Sequence, residues 1–189
     1  MRSTIAIPDE IWTRENECVT PACRLDPVSL TDPVSLTDPV CLLGEWSLAR
    51  RLLDYRAGAH GTVRGTLSLR ASDTETARPD EVVAIDWREQ GTLRWNGAHY
   101  PVTRRYRLRR GPDGWWLDFV DGRPFHPWRP GEWVRHPCRA DEYVGYIDCA
   151  GVSPAAINPA GQWRVLWDVR GPEKRQRIIT RLGRPWQSS

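Results

Sequence analysis

Apolar and polar residues alternate one by one along most of the chain beyond residue 44. In the clearest run, residues 62–70, Val63, Leu67 and Leu69 share one side, while threonine, serine and arginine occupy the other. A period of two is the pattern of a β-strand with one buried and one hydrated face. The same alternation recurs late in the chain, at Trp163, Val165, Trp167 and Val169.

Short clusters of Gly, Pro, Asp and Asn separate these runs, and the alternation recurs more weakly elsewhere, so we count nine or ten strands at short spacing. No stretch has the pattern of an amphipathic helix of normal length. Such a series predicts an antiparallel meander that closes into a barrel, because closure removes the exposed sheet edges. The predicted fold class is all-β: a single antiparallel barrel of about nine to ten strands.

A six-residue repeat precedes the predicted barrel. The sequence Asp-Pro-Val-Ser-Leu-Thr occupies Asp26–Thr31 and again Asp32–Thr37, and a third copy begins at Asp38. Proline in every copy interrupts strand pairing, and so few copies cannot stack into a solenoid. We therefore expect a flexible arm over residues 1–37 and the barrel over residues 38–189. A harmless tandem duplication explains the repeat, and recruitment of a partner protein is the alternative.

The start of the third copy suits a short helical turn. Asp38 and Pro39 have the residue types of an N-cap and of the first helical position. The turn would run through Leu43 and end at Gly44, so the barrel is expected to begin with one N-terminal helical turn.

The composition of the chain is rich in tryptophan and carries little net charge. The 189 residues include eleven Trp but only two Phe and one Met, which concentrates the apolar surface in indoles and favours a wide, curved interior. The net charge of +3 is too small to indicate a nucleic-acid partner. In the basic run 104–110, alternation places Arg105, Arg107 and Arg109 on one hydrated strand face. We therefore expect no nucleic-acid partner.

The cysteines and the start of the chain bear on location. Five cysteines, an odd number without a Cys-x-x-Cys pair, argue against a disulfide framework and against a zinc ribbon, so reduced thiols fit best. The first ten residues lack the apolar stretch of a signal peptide. No run reaches the roughly eighteen apolar residues of a membrane span. We expect a cytoplasmic protein with no membrane partner.

Gly44-Glu45-Trp46 opens the first predicted strand, and a basic strand ending at Arg184 closes the series. This arrangement resembles the lipocalins and related calycin barrels. The resemblance implies a lipocalin-like barrel in which Trp46, after Gly44, packs across the floor. It also implies a basic residue of the last strand beside that indole, Arg177 or Arg181, of which we take Arg181.

Several separated blocks between Leu42 and Arg184 resemble a family of small bacterial and fungal proteins known only as a domain of unknown function. The family name implies no activity. Where the family pattern has Tyr before the Arg-Glu pair, this chain has Trp87, which bears on the shape of the cavity rather than on the fold. The blocks are Leu43–Trp46, Trp87–Gly91, Arg105–Arg107, Phe119–His126, His136–Tyr143 and Trp167–Lys174.

Strand parity also turns several polar residues inward. Glu89 shares a face with Trp87, and Arg104 shares one with Tyr106. A buried charge without a partner is costly, so Glu89 should meet Arg104 or a similar donor. Such a pair either fixes the strand register or anchors a ligand at the cavity wall.

The block Asp121–His126 is the densest in chemistry. Its Asp-Gly turn and its proline hold Arg123 and His126 near a barrel rim. His126 and His136 are expected to titrate near neutrality and to serve as acid or base, helped by Asp141 or Tyr143, unless they are structural histidines. The gaps between histidines and cysteines match no metal-site spacing, and no nucleotide-binding motif occurs. We expect no metal and no cofactor.

These observations predict a small-molecule binding barrel, with an aromatic-lined cavity and a polar anchoring cluster for an apolar ligand that carries a polar handle. The alternative is a cofactor-independent isomerase, cyclase or hydrolase that uses His126, Glu89 and Tyr143 on a small, partly apolar substrate. Eleven indoles that filled the interior would instead leave a scaffold without a pocket. The sequence leaves the oligomeric state open. The predicted ligand-binding residues are Trp87, Glu89, Arg104, Tyr106, Phe119, Arg123, His126 and His136.

Overall fold

The computed structural model describes residues 38–72, 82–151 and 161–184. The predicted arm over residues 1–37, with the complete copies of its repeat, lies outside these ranges. A 3-10 turn, Pro39–Leu42, precedes ten strands. The strands are β1 (Gly44–Asp54), β2 (Ala59–Ala71), β3 (Ala84–Trp95), β4 (Ala98–Gly111), β5 (Gly114–Phe119), β6 (Pro124–Pro127), β7 (Trp133–Cys138), β8 (Asp141–Gly151), β9 (Gln162–Arg170) and β10 (Arg175–Gly183).

All ten strands form one antiparallel sheet with the order β6-β5-β4-β3-β2-β1-β10-β9-β8-β7. The first strand pairs with the last, from Ser47 opposite Gly183 to Asp54 opposite Gln176. The sheet curls into a nearly closed barrel, with β6 and β7 at its two edges. The predicted all-β barrel of nine to ten strands with a helical turn at its start is confirmed.

The helical turn forms where Asp38 and Pro39 predict it. The Asp38 carboxylate accepts a hydrogen bond of 2.9 Å from the backbone N–H of Val40, which is the bond an N-cap supplies. The buried indole of Trp46 donates through Nε1 to the carbonyl oxygen of Leu42 at 2.8 Å. This bond holds the turn against the floor of the barrel.

Alternation along the strands decides which residues are interior. On β2, Val63, Leu67 and Leu69 are buried, as their parity predicts. Gly65 lies opposite Gly91 of β3, and a Cβ atom on Gly65 would overlap the backbone oxygen of the neighbouring Gln90. The missing side chains let the two strands approach closely.

The interior is packed with indole rings. Trp46 and Trp87 each make an edge-to-face contact with Trp163, at centroid distances of 5.9 and 5.6 Å. The predicted burial of Trp46, Trp163 and Trp167 is confirmed. Trp133 departs from this pattern, with 59 % of its surface exposed. Edge-to-face packing lets several large rings share one core without gaps.

In the described ranges Cys41, Cys138 and Cys149 are free thiols. Cys18 and Cys23 lie outside those ranges. The described residues form no helix that is long and apolar enough to cross a membrane.

Candidate functional site

A buried ion pair between Arg50 of β1 and Glu89 of β3 forms the polar centre of the barrel. Nη2 of Arg50 lies 2.9 Å from each carboxylate oxygen of Glu89, and only 10 % and 7 % of the two side chains are exposed. Nε of Arg50 donates to Oγ1 of Thr180 on β10 at 2.8 Å. Trp87 donates through Nε1 to Oε1 of Glu89 at 3.1 Å. We call these four residues the polar cluster.

Burial and a second guanidinium shape the electrostatics of the polar cluster. Burial lowers the pKa of Arg50, Glu89 raises it, and the nearby charge of Arg104 lowers it again, so that the pKa lies below its usual value. An arginine nevertheless remains charged at any physiological pH. In the described part of the chain, the side-chain hydrogen bonds of Arg50 use Nε and Nη2, and none of them uses Nη1.

The strand register places Arg104 of β4 directly opposite Glu89, yet the carboxylate pairs with Arg50. Sequence reasoning allowed a similar donor but did not identify it. The sequence did contain a signal for Arg50 as this donor, because residue 50 has the same inward parity on β1 as the buried Trp46 and Leu48. Arg104 is exposed, and its guanidinium carbon lies 5.9 Å from the centroid of the Tyr106 ring.

Five rings pack together at one end of the aromatic core, and we call them the rim cluster. Phe125 stacks on Tyr106 at 5.5 Å with an interplanar angle of 9°, and on Trp167 at 5.1 Å with an angle of 22°. Phe119 and His136 pack against it at 4.9 and 4.8 Å. All of these residues except Trp167 are only half-buried. We call the position of the Phe125 ring, which stacks on Tyr106 and Trp167 at the edge of the interior, its slot.

His126 is 2 % exposed, and burial lowers its pKa to about 4. Its Nδ1 lies 2.8 Å from the carbonyl oxygen of Pro127, which only accepts, so Nδ1 carries the proton and Nε2 a lone pair. The expectation that His126 titrates near neutrality is wrong, because its ring is packed against Phe125 and Trp167 and the charged form loses its water.

The polar cluster and three rings of the rim cluster, Tyr106, Phe125 and Trp167, line an interior cavity of about 30 Å³, whereas Phe119 and His136 lie outside its lining. That volume holds roughly one water molecule. The concern that indoles fill the interior is therefore largely justified in this conformation. The lining residues are Arg50, Trp87, Glu89, Arg104, Tyr106, Leu117, Phe125, His126, Trp128, Ile147, Val165, Trp167, Ile178 and Thr180.

One cavity-lining indole lacks a hydrogen-bond partner. Nε1 of the buried Trp128 has no acceptor, and Trp128 packs edge-on against Trp87 at 6.4 Å. A buried donor without an acceptor is costly and is rare in native proteins. A bound acceptor atom in the cavity would offset this cost.

The remaining predicted site residues lie at the rim, outside the cavity. Arg123 is exposed, pairs with Asp121 at 2.8 Å, and lies over Phe119 at 5.6 Å. The hydroxyl of Tyr143 accepts from Nζ of Lys174 at 3.4 Å. Arg123 and Tyr143 therefore each interact with another rim residue.

The structure does not connect the three residues named for catalysis. Glu89 bonds to Arg50 and Trp87, His126 to a backbone carbonyl, and Tyr143 to a lysine. In the described part of the chain no hydrogen bond joins any two of the three.

The floor residue differs from the one predicted. The guanidinium of Arg184 lies 4.2 Å from the centroid of the Trp46 ring, and Arg184 also contacts the position where a Cβ of Gly44 would lie. Arg181 is exposed, opposite Ala49 on the outer face. The choice of Arg181 is therefore corrected to Arg184. Residue 181 has the outward parity of its strand, whereas Arg184 follows the strand end and can turn back over the floor.

The basic run on β4 has the predicted hydrated face. Arg107 pairs with Asp86 at 3.4 Å and Arg109 with Asp118 at 2.9 Å, beside a shallow outer groove of about 300 Å³. In the described residues no group of three or more His, Cys, Asp or Glu side chains is placed to hold a metal ion.

Comparison with known proteins gives a family without an activity. The family of unknown function DUF6314 matches the chain over residues 42–184. No curated protein matches the sequence. The match covers all ten strands, from the last residue of the helical turn to the residue after β10.

Proposed function

The chain belongs to DUF6314, a family of unknown function, and from this premise we propose that the barrel binds one small molecule between its rim cluster and its polar cluster. The ligand is an apolar molecule with a polar handle. The polar cluster orients the handle, and Tyr106, Phe125 and Trp167 contact the apolar body.

One observation supports this proposal most: charged and polar side chains are buried in an interior that is otherwise aromatic. Arg50 and Glu89 are taken almost completely out of water, and so is His126. Replacing a buried ion pair with well-packed apolar residues is often neutral or stabilising. Stability alone therefore does not explain why these groups are buried, and orientation of a ligand is a reason to keep them.

Entry of a ligand requires movement at the rim. The cavity of about 30 Å³ is too small for any organic ligand, so the bound form has Phe125 outside its slot. Phe125 belongs to a strand of four residues at the edge of the sheet, next to a register shift between Leu117 and Asp118. A short edge strand moves at less cost than a strand paired on both sides.

Acid–base catalysis is the second candidate, and the lone pair on Nε2 of His126 favours it. A base whose pKa is about 4 takes up a proton weakly at neutral pH. Glu89 is already neutralised by Arg50. Binding of a small, partly apolar molecule is accordingly the better-supported function. Catalytic turnover of that molecule is the second candidate.

The proposal also includes the finer expectations about relationship, partner and location. We place the barrel among the lipocalin-like calycin folds, which the floor contact between Trp46 and Arg184 supports. We propose a small molecule as partner, rather than nucleic acid or a membrane, and a cytoplasmic location.

Native mass spectrometry of the full chain, purified from cells that make it, tests the proposal. We expect an additional non-protein mass that denaturation releases. The double variant Arg50→Gln, Glu89→Gln should lose this mass, because it removes both charges while keeping the side-chain sizes. The control is Arg164→Gln, Asp148→Asn, which neutralises an ion pair on the outer face and should retain the mass. No released mass, before or after incubation with a small-molecule extract of the same cells, refutes the proposal.

A further inference from the structure

We infer that the ligand is a planar aromatic anion, whose ring takes the slot of Phe125 between Tyr106 and Trp167 and whose carboxylate binds Arg104 and Arg50. This inference rests on the proposed function and specifies its ligand. It follows from the balance of charge in the cavity and from the geometry of the slot.

The charges that line the cavity do not balance. Arg50 and Arg104 are both cationic, and Glu89 is the one carboxylate among the residues that line it. Arg104 forms no ion pair with any described carboxylate, and its charge lies close enough to disfavour the charged form of Arg50. One added negative charge between the two guanidiniums neutralises the excess, whereas a cationic ligand would increase the repulsion.

The hydrogen-bond donors of the cavity that lack an acceptor also favour a ligand with hydrogen-bond acceptor atoms. Nη1 of Arg50 has no described acceptor, and Nε1 of Trp128 is buried without one. Burial raises the pKa of Tyr106, so its hydroxyl remains protonated and able to donate. A carboxylate offers about four acceptor positions, and it binds guanidinium through charge-assisted hydrogen bonds.

The slot suits a flat ring. Phe125 stacks on both Tyr106 and Trp167, at interplanar angles of 9° and 22°, so a planar ring in its place makes the same two stacking contacts. In the pairing of β5 with β6, Leu117 faces His126 and Asp118 faces Pro124, which leaves Phe125 without a register partner. The ring that now fills the slot therefore belongs to the irregular position of the pairing between β5 and β6.

Three probes separate ring from charge: 2-naphthoate, its neutral amide 2-naphthamide, and the non-aromatic anion cyclohexanecarboxylate. Titration calorimetry on the full chain and on Phe125→Ala measures each affinity. We expect Phe125→Ala to bind 2-naphthoate at least about tenfold more tightly than either of the other two probes. The amide lacks the ionic contact and cyclohexanecarboxylate lacks the stacking, and each of these contacts contributes about a factor of ten to the affinity. The unsubstituted chain should show the same order with weaker binding, because Phe125 competes for the slot.

A pair of neighbouring arginines on β4 tests the ionic contact. Arg104→Gln in the Phe125→Ala background should weaken 2-naphthoate about tenfold and leave 2-naphthamide unchanged. Arg105→Gln is the matched control, because Arg105 is exposed on the opposite face of the same strand. It should change neither affinity.

The outcomes distinguish this inference from the proposed function. Equal affinity for 2-naphthoate and its amide, or equal effects of the two arginine variants, overturns the anionic ligand while binding in the barrel stands. Equal affinity for 2-naphthoate and cyclohexanecarboxylate overturns the ring slot. Absence of binding to any probe, with a native near-ultraviolet circular dichroism spectrum, overturns the whole inference. If Phe125→Ala does not fold, Phe125→Leu replaces it in each comparison. If the inference is overturned, the proposed function is still tested separately by native mass spectrometry.

Discussion

Glu89 is a charged residue that the geometry of its strand places in the buried interior. Its inward parity on β3 places a carboxylate among indoles, where Arg50 of β1 and Trp87 of its own strand donate to it. Thr180 of β10 accepts in turn from Arg50. A carboxylate in such a place is stable only while its partner is present. Single substitutions at Glu89 and at His126 therefore report directly on the electrostatics of the interior.

Replacing Glu89 with Gln should destabilise the barrel by about 3–5 kcal/mol, because it leaves the charge of Arg50 buried without a partner. Urea unfolding followed by tryptophan fluorescence measures the change. The control is Glu142→Gln, which removes an exposed ion pair with Arg135 and should cost less than about 1 kcal/mol. A loss at Glu89 no larger than that of the control would contradict the burial of the pair.

His126 should make stability depend on pH. Its pKa falls from 6.5 in the unfolded chain to about 4 in the barrel, so between these values the unfolded state binds a proton that the folded state excludes. Its contribution is fully present above pH 6.5 and is lost as the pH falls, by about 3 kcal/mol at pH 4. The unfolding free energy of the unsubstituted chain minus that of His126→Gln, measured from pH 7 to pH 4, isolates this term. A difference that does not change with pH would refute it.

At the scale of elements, the barrel combines long strands paired on both sides with one short, weakly held strand. β2, β3 and β4 pair continuously over most of their lengths, and β2 and β3 approach each other closely at Gly65 and Gly91. β6 has four residues and an irregular register with β5. The rigid elements thus carry the polar cluster, and the weakest element carries the ring that blocks the slot.

Gly65→Ala should destabilise the barrel by about 1–3 kcal/mol, because the added methyl group overlaps backbone atoms of β3 that cannot move separately. Thermal unfolding measures the shift. Gly111→Ala is the control, since the nearest atom to its added Cβ lies 3.6 Å away. Equal melting temperatures for the two variants would show that the strands do not approach as described.

Hydrogen exchange should show that β6 opens locally. We expect the amides of residues 124–127 to exchange much faster than those of β9, because β9 pairs on both sides whereas β6 pairs irregularly on one. Mass spectrometry of exchange-labelled peptides makes the comparison. Equal protection of the two strands would argue against entry of a ligand past Phe125.

At the scale of the whole molecule, one nearly closed sheet encloses one core. The first strand in sequence, β1, pairs with the last, β10. Arg184, which follows β10, contacts Trp46 of β1 at the floor of the barrel. Contacts between residues so far apart in sequence make folding of such a barrel slow compared with that of helical domains. The core begins at the 3-10 turn, where Pro39 and Leu42 are buried.

Deletion of residues 1–37 should leave the barrel folded, because the core described here starts at Pro39. The melting temperature of residues 38–189 should lie within a few degrees of that of the full chain. Probe binding should also persist, since every cavity-lining residue lies after residue 38. A large fall in melting temperature would place part of the folding core in the arm and contradict the proposed domain boundary.

The amino-acid pattern by itself determined the fold class, the helical turn, and the inward placement of residues such as Leu67, Glu89 and Trp163, because alternation along a strand is a local property. Only the tertiary structure decided that Glu89 pairs with Arg50, that Arg184 covers Trp46, and how little space remains inside. Those outcomes depend on which strands become neighbours across the barrel and on how much volume the rings fill. Neither quantity is a property of any one segment of the chain.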